Sequence, residues 1–265
     1  MKRSGAYAIV VVVMWRSCLV PVLVIVTGCH LAFPIEPDSD AGAGAPPRVF
    51  SSPGPAATLY GGYPKSFAIT LAADQPGTTI YYTTDGTPPD VDSTSTSSAA
   101  TPIRGITISA NSMVKYFGIY QGASSTPVTE DFSIDATTAQ TNAGYLVTSV
   151  TLDGTSPVVI AAPGATLAAR ANIQTWVQTS CPSCAAQVVF GVNDTDQGCI
   201  FEGNPNVYPG VTMTGKAFNV RAPMTPGVHE VKVAHIEQTS CAQAMASMAL
   251  KTRPTLARIG IIVVR

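Results

Sequence analysis

Residues 66–90 read SFAITLAADQPGTTIYYTTDGTPPD, and this stretch decides the fold class. Phe67, Ile69 and Leu71 alternate with small or polar neighbours, which is the period-2 signature of a strand with one buried face. A second run, rich in β-branched and aromatic residues, ends at Asp85-Gly86, a strong turn signal, before two prolines. Because no helical segment separates the two runs, the stretch predicts neighbouring antiparallel strands in an all-β protein.

The same pattern continues downstream. Strand-like runs follow as GITISA at residues 105–110, MVKYFGIYQG at 113–122 and VTEDFSID at 128–135. At least five short strands without an intervening helix predict an antiparallel β-sandwich over residues 49–135.

The run IYYTTDGTP at residues 80–88, with the later Gly122, Ser125 and Val128, resembles the chitobiase/β-hexosaminidase C-terminal domain, a small immunoglobulin-like module. The resemblance implies a spacer or an accessory binding module rather than a catalyst. Its aromatic residues either offer stacking planes for sugar rings or pack in the core, and their alternation along strands favours packing. These aromatic residues are Tyr81, Tyr82, Tyr116, Phe117 and Tyr120.

A second module is predicted from the pattern after the short polar linker at residues 136–143. Six or seven strand-like runs, separated by turn residues, predict another immunoglobulin-like β-sandwich over residues 144–265. The run CAQAMASMALK at 241–251 is the one helical patch, because alanine and methionine are good helix formers. We recognise no named family for this half.

The N-terminal apolar run is better explained as an export signal than as a membrane span. A spanning helix needs about 20 predominantly apolar residues. The run from Ala8 to Thr27 is long enough, but Arg16 lies at its centre, where a charge costs at least about 2.5 kcal/mol. A basic start before a short apolar segment predicts a signal peptide, with Met1 or Met14 as its first residue.

The end of this run, VTGC at residues 26–29, resembles the bacterial lipobox. The resemblance implies removal of residues 1–28 and lipidation of Cys29; the alternative is a conventional signal peptide with an incidental cysteine. Residues 29–48 are rich in Pro, Ala, Gly and Asp and predict a flexible tether. We therefore expect a bacterial protein anchored to the membrane through lipid on Cys29, at the outer membrane or cell surface.

Four cysteines remain in the predicted mature fold: Cys181, Cys184, Cys199 and Cys241. An even number in an exported chain predicts disulfides, since the compartment is oxidising. The alternatives are a zinc site or a redox site at the Cys-x-x-Cys pair, but a matching second pair is missing and a strand rather than a helix follows. Of the three possible connectivities, we favour Cys181–Cys241 with Cys184–Cys199.

No motif of catalysis, cofactor binding or nucleic-acid binding is found. The chain has 12% charged residues and a net charge of −1, so it has no basic cluster for phosphates. His229 and His235 lie on one strand face but about 20 Å apart at strand rise, too far to share a metal. Asp194 and Asp196 faintly resemble a calcium loop without its distal acidic ligand, and a solvated turn is the preferred interpretation. We expect no metal and no cofactor.

Trp176 is the candidate for ligand binding. In the run LAARANIQTWV, Leu167, Ala169, Ala171 and Ile173 form the apolar phase, which leaves Trp176 on the opposite, wet face. An exposed indole there stacks on a sugar or a partner; the alternative is coverage by a loop or by the first module.

These features predict a non-catalytic, lipid-anchored envelope protein that acts as a binding or spacer module, with an envelope protein or a polysaccharide as partner. The alternative is an accessory carbohydrate-binding component of a polysaccharide-degrading system.

Overall fold

A computed structural model describes residues 44–55, 63–137, 143–177, 185–247, 249–252 and 256–265. All of them belong to one compact unit, residues 40–265. The predicted signal peptide, Cys29, Cys181 and Cys184 lie outside the described residues.

The first sandwich consists of a three-stranded and a five-stranded sheet. In chain order its strands are β1 (Val49–Ser52), β2 (Phe67–Ala73), β3 (Thr79–Thr83), β4 (Ser97–Ala100), β5 (Ile103–Ile108), β6 (Ser112–Tyr120), β7 (Ala123–Ser124) and β8 (Val128–Phe132). The sheets have the orders β1-β2-β5 and β4-β3-β6-β7, with β8 also paired to β6. The inward residues Ile69, Leu71 and Ile80 are fully buried between them, as the period-2 pattern predicts.

The Asp85-Gly86 turn is built as its sequence indicates. Gly86 adopts a φ of +80°, which favours glycine. The Asp85 carboxylate accepts hydrogen bonds from the amide and the hydroxyl of Thr87, at 3.0 and 2.6 Å. These bonds favour the ionised carboxylate, so they lower the pKa of Asp85.

The second sandwich has the same construction. Its strands are β9 (Gly144–Thr151), β10 (Val158–Ala161), β11 (Thr166–Trp176), β12 (Ala186–Val192), β13 (Thr195–Gly203), β14 (Val211–Arg221), β15 (Gly227–Glu237) and β16 (Ala257–Val264). The sheet orders are β14-β11-β9 and β10-β16-β15-β12-β13. The prediction of an all-β protein is confirmed. One pair, β10 with β16, is parallel, whereas we expected antiparallel sheets only.

The helical patch is confirmed as α1 (Cys241–Ala246) and α2 (Ala249–Thr252). The expected solvated turn at the acidic pair is wrong for Asp196, which lies in β13. Its carboxylate accepts hydrogen bonds from the amides of Ala249 and Leu250, at 2.8 and 3.0 Å, and so satisfies free N–H groups at the start of α2.

The outer face of the five-stranded sheet of the second sandwich is covered twice. At one end, α1 and α2 bury Val189, Ala234 and Ile236. At the other end, Ile261 and Val263 pack against apolar side chains of the first sandwich. Strand β16 is therefore buried on both faces, which explains its apolar run from Ile259 to Val264.

Candidate functional site

The junction between the two sandwiches contains both hydrogen bonds and apolar contacts. The end of β1 runs beside β16, where the Ser52 hydroxyl donates to the carbonyl of Ile259 and the Gly54 amide donates to the carbonyl of Arg258 at 2.9 Å. Phe50 and Ala72 of the first sandwich pack on Val158, Ile261 and Val263 of the second. The two sandwiches are thus joined by both apolar contacts and backbone hydrogen bonds.

One ion pair lies at the centre of this junction. Nη2 of Arg258, on β16, lies 2.5 Å from Oε1 of Glu130, on β8. The same nitrogen donates to the Ser51 hydroxyl at 3.2 Å, and Nε donates to the Ser51 carbonyl at 3.4 Å. The Glu130 side chain is 9% exposed and that of Arg258 is 20% exposed. The Arg258 guanidinium of the second sandwich therefore contacts both β1 and β8 of the first sandwich.

The charged groups around the pair favour the protonated, positively charged form of Arg258. Burial works against that charge, but the facing carboxylates of Glu130 and Glu230 raise the pKa of Arg258 above its usual range. Burial, and next the negative charge of Glu130, raise the pKa of the Tyr116 hydroxyl far above its ordinary value. Among the described residues, neither that hydroxyl nor Oε2 of Glu130 makes a well-formed hydrogen bond, although the hydroxyl interacts electrostatically with Glu130 and Ser51. Glu130 thus depends on Arg258 for most of its compensation.

The pair continues outward as a row of alternating charges. Arg258 Nη1 lies 3.7 Å from Oε1 of Glu230, and Glu230 Oε2 lies 3.3 Å from Nζ of Lys232. Lys232 in turn lies 3.7 Å from Asp194, whose side chain is 67% exposed. The outer pairs are solvated and contribute little, so the energetic weight lies on Arg258 and Glu130.

We did not single out Arg258 or Glu130 from the sequence, although one signal was present. Glu130 has the same phase as the core residue Phe132 on β8, so it points inward with a charge. A charged residue on the apolar phase of a strand indicates a buried partner. The sequence does not show that this partner is Arg258, 128 residues further along the chain.

The prediction that Trp176 is exposed is wrong. Its side chain is 1% exposed, and its ring meets that of Tyr208 edge-on, with centroids 5.5 Å apart. The indole also lies over Gly144, where an added Cβ would come within 2.6 Å of the ring. Trp176 pairs with Gly144 across β9 and β11, so the two share a face.

The physical reason is that alternation assigns a side chain to a face but does not show what covers that face. Here the amide of Val177 donates to the carbonyl of Asn206 at 2.8 Å, which brings residues 206–210 over the end of β11. A ring that is covered in this way offers no plane to a ligand, so the alternative of loop coverage holds.

The expected pairing of the cysteines is also corrected. Cys199, on β13, forms a disulfide with Cys241, the first residue of α1. The expected Cys181–Cys241 and Cys184–Cys199 bridges are therefore excluded. The bridge links the start of α1 directly to β13 and so holds the helical cover on its sheet, although the two cysteines are 42 residues apart in the chain. Disulfide formation by Cys181 and Cys184 stays a prediction.

Replacing both Cys199 and Cys241 by alanine is expected to lower the free energy of unfolding by about 2–4 kcal/mol, because the 42-residue loop is no longer closed in the unfolded chain. Urea unfolding with and without reductant measures the effect. Reductant should also lower the stability of the unmodified protein. Equal stability of the oxidised protein and the double variant would contradict the structural role.

His229 and His235, the two histidines considered in the sequence analysis, both contact other protein groups. His229 donates from Nε2 to the carbonyl of Thr225 at 2.9 Å and accepts at Nδ1 from Asn193 at 3.1 Å. The His235 ring stacks beside Tyr145 in the core, with centroids 6.3 Å apart.

The aromatic residues of the first sandwich mostly pack against protein. Tyr116 is fully buried, and Tyr81 stacks on Phe117 across β3 and β6 at 5.2 Å. Packing, not ligand stacking, accounts for these rings.

Two observations concern the described ranges only. None of their helices is long and apolar enough for a membrane span. They also contain no group of three or more His, Cys, Asp or Glu side chains placed to hold a metal ion.

Comparison with known proteins finds a family match within the first sandwich. Residues 59–130 match the family model of the chitobiase/beta-hexosaminidase C-terminal domain. Among solved structures, red sea bream transglutaminase aligns at 11% identity with a TM-score of 0.22, over 83% of this chain and 31% of that one. The chain thus spans about a third of that protein, and at this score the likeness carries no argument. No curated protein matches the chain.

The resemblance inferred from residues 80–88 is confirmed by this match. The two packed sheets of the first sandwich agree with it, since an immunoglobulin-like module is a sandwich of two antiparallel sheets. Residues 59–130 of this chain are therefore a chitobiase/beta-hexosaminidase C-terminal domain with an immunoglobulin-like fold.

Proposed function

We propose that this chain is a non-catalytic, lipid-anchored envelope protein whose two joined sandwiches serve as a spacer or binding module. The observation that carries the proposal is the order of features along the chain. An apolar run ends at Gly28-Cys29, a tether rich in Pro, Gly and Ala follows, and the sandwiches come next. Stable anchoring needs more than one acyl chain, and a lipidated N-terminal cysteine meets this requirement by carrying several.

The junction supports the spacer part of the proposal. Inter-domain contacts within a chain usually permit relative motion unless the interface is well packed. Here the buried Arg258–Glu130 pair, the Ser52 hydrogen bond and the apolar contacts of Ile261 and Val263 oppose such motion. A body of two fixed sandwiches holds a bound partner at a defined position relative to the end of the tether.

The anchor is tested by metabolic labelling with a fatty-acid analogue in bacteria that express the full chain. The unmodified protein should incorporate the label, and Cys29→Ala should not, because the only nucleophile for the thioether is removed. Cys18→Ala is the matched control, since it removes the other cysteine of the same segment and should keep the label. Equal labelling of the protein and Cys29→Ala would refute the anchor.

The alternative of an accessory carbohydrate-binding component loses its named residue, because Trp176 is buried. A different part of the junction nevertheless has the chemistry of a sugar site.

A further inference from the structure

A cleft of about 230 Å³ lies between the start of β2 and the outer face of the three-stranded sheet of the second sandwich. Its floor is formed by cross-strand neighbours of β9, β11 and β14, among them Thr148, Asn172, Gln174 and Thr212. Its wall is formed by residues 65–68. Clefts between domains are common ligand sites. Pockets for drug-sized molecules have volumes of roughly 300–1,000 Å³, so this cleft suits a smaller ligand.

Two amide side chains in the floor have fixed orientations. Gln174 is 5% exposed, and its Nε2 donates to the carbonyl of Pro209 at 2.8 Å. Its Oε1 is therefore the atom left to accept. Asn172 accepts through Oδ1 from the amide of Gly215 at 2.8 Å, so its Nδ2 is the atom left to donate. Neither remaining atom has a hydrogen-bond partner among the described residues.

The backbone around Asn172 is shaped on both sides. Strands β9 and β14 each insert one extra residue opposite this part of β11, which stays regular. Ser149 on β9 adopts a φ of +53° and Gly215 on β14 a φ of +61°. Left-handed φ is uncommon for a serine and stores strain. Bulges of this kind re-aim side chains next to binding sites, and here both flank the amide that lines the cleft.

Thr148, Thr212 and Thr214 also line the cleft, so three hydroxyl-bearing side chains accompany the two amides. Lys65 is the one charged side chain among the residues that line the cleft. The lining thus combines donors, acceptors and a single positive charge, without an opposing carboxylate.

We propose that this cleft binds one sugar unit that carries a carboxylate. A sugar hydroxyl both donates and accepts, so neighbouring hydroxyls of one ring satisfy the donor of Asn172 and the acceptor of Gln174 together. The carboxylate pairs with Lys65 at the rim. Because the two amides are already held by Pro209 and Gly215, binding orders little of the protein. This inference deepens the binding part of the proposed function and does not depend on the lipid on Cys29.

To test the proposal, the purified full chain in mild detergent is titrated with glucuronate, glucose and glucosamine. Binding is measured by calorimetry or ligand-observed NMR. Glucuronate should bind with a Kd of about 1–10 mM, glucose more weakly and glucosamine weakest. Lys65→Met should reduce glucuronate binding to the level of glucose, whereas Lys251→Met, at an exposed position of α2, should leave it unchanged. No saturable binding of glucuronate, or glucosamine bound most tightly, would overturn the proposal.

Asn172→Asp tests the amide without disturbing its support, since the aspartate oxygen still accepts from Gly215. It replaces the free donor by an acceptor and should weaken glucuronate binding about tenfold or more. Asn219→Asp, on an exposed position of β14, adds the same charge outside the cleft and is the matched control. Acetate bound as tightly as glucuronate, or equal effects of the two variants, would overturn the sugar site. Fatty-acid labelling is independent, so the two proposals fail separately.

Discussion

Replacing Trp176 by alanine is expected to lower the free energy of unfolding by about 3–5 kcal/mol. The indole is 1% exposed, and Tyr208 and Gly144 pack against it. Replacing the indole by a methyl group therefore leaves a cavity, which the residues around the end of β11 fill only in part. Chemical unfolding of the purified protein, followed by fluorescence or circular dichroism, measures the loss.

Met224→Ala is the control for this substitution. Met224 is a large apolar residue of the same sandwich, but it is 68% exposed, so its truncation should change stability by less than about 0.5 kcal/mol. A Trp176→Ala variant as stable as Met224→Ala would show that the indole is exposed in solution.

Replacing Arg258 by methionine is expected to cost about 3–5 kcal/mol, because it leaves the Glu130 charge buried without its partner. Glu130→Met should cost a similar amount by leaving Arg258 unpaired. The double variant Arg258→Met/Glu130→Met should recover a large part of the loss, since two apolar side chains replace two buried charges. A double-mutant cycle of unfolding free energies measures this recovery.

Arg104→Met is the matched control, because Arg104 is exposed on β5 and should change stability by less than about 0.5 kcal/mol. Additive effects of the two single variants in the cycle would contradict direct coupling between Arg258 and Glu130. In that case the ion pair would not stabilise the junction, and the other contacts between the sandwiches would hold it.

Much of the fold was predictable because its signals are local. The alternation of Phe67, Ile69 and Leu71 and the Asp85-Gly86 turn each depend on a few neighbouring residues. The helical patch was also visible in its composition. Strand β13 was missed because its residues, TDQGCIFEG, are polar at the start, and β1, β4, β7 and β10 were missed because they are only two to four residues long.

The candidate site was much less predictable. Glu130 showed an inward charge, but nothing near it in the sequence indicated Arg258. In the sequence, Asn172 and Gln174 look like ordinary polar residues on the solvent-facing side of a strand. Their orientation comes from Gly215 and Pro209, more than 30 residues away along the chain.

The sequence by itself determined that the chain is all-β, roughly where the longer strands lie, and that the segment around residues 80–88 resembles the chitobiase/beta-hexosaminidase C-terminal domain, whose family model matches residues 59–130. Only the tertiary structure decided that Trp176 is covered, that Cys199 pairs with Cys241 and that Arg258 enters the first sandwich. The physical reason is the range of the interactions. Alternation and turn chemistry act within a few residues, whereas burial and pairing depend on segments brought together from distant parts of the chain.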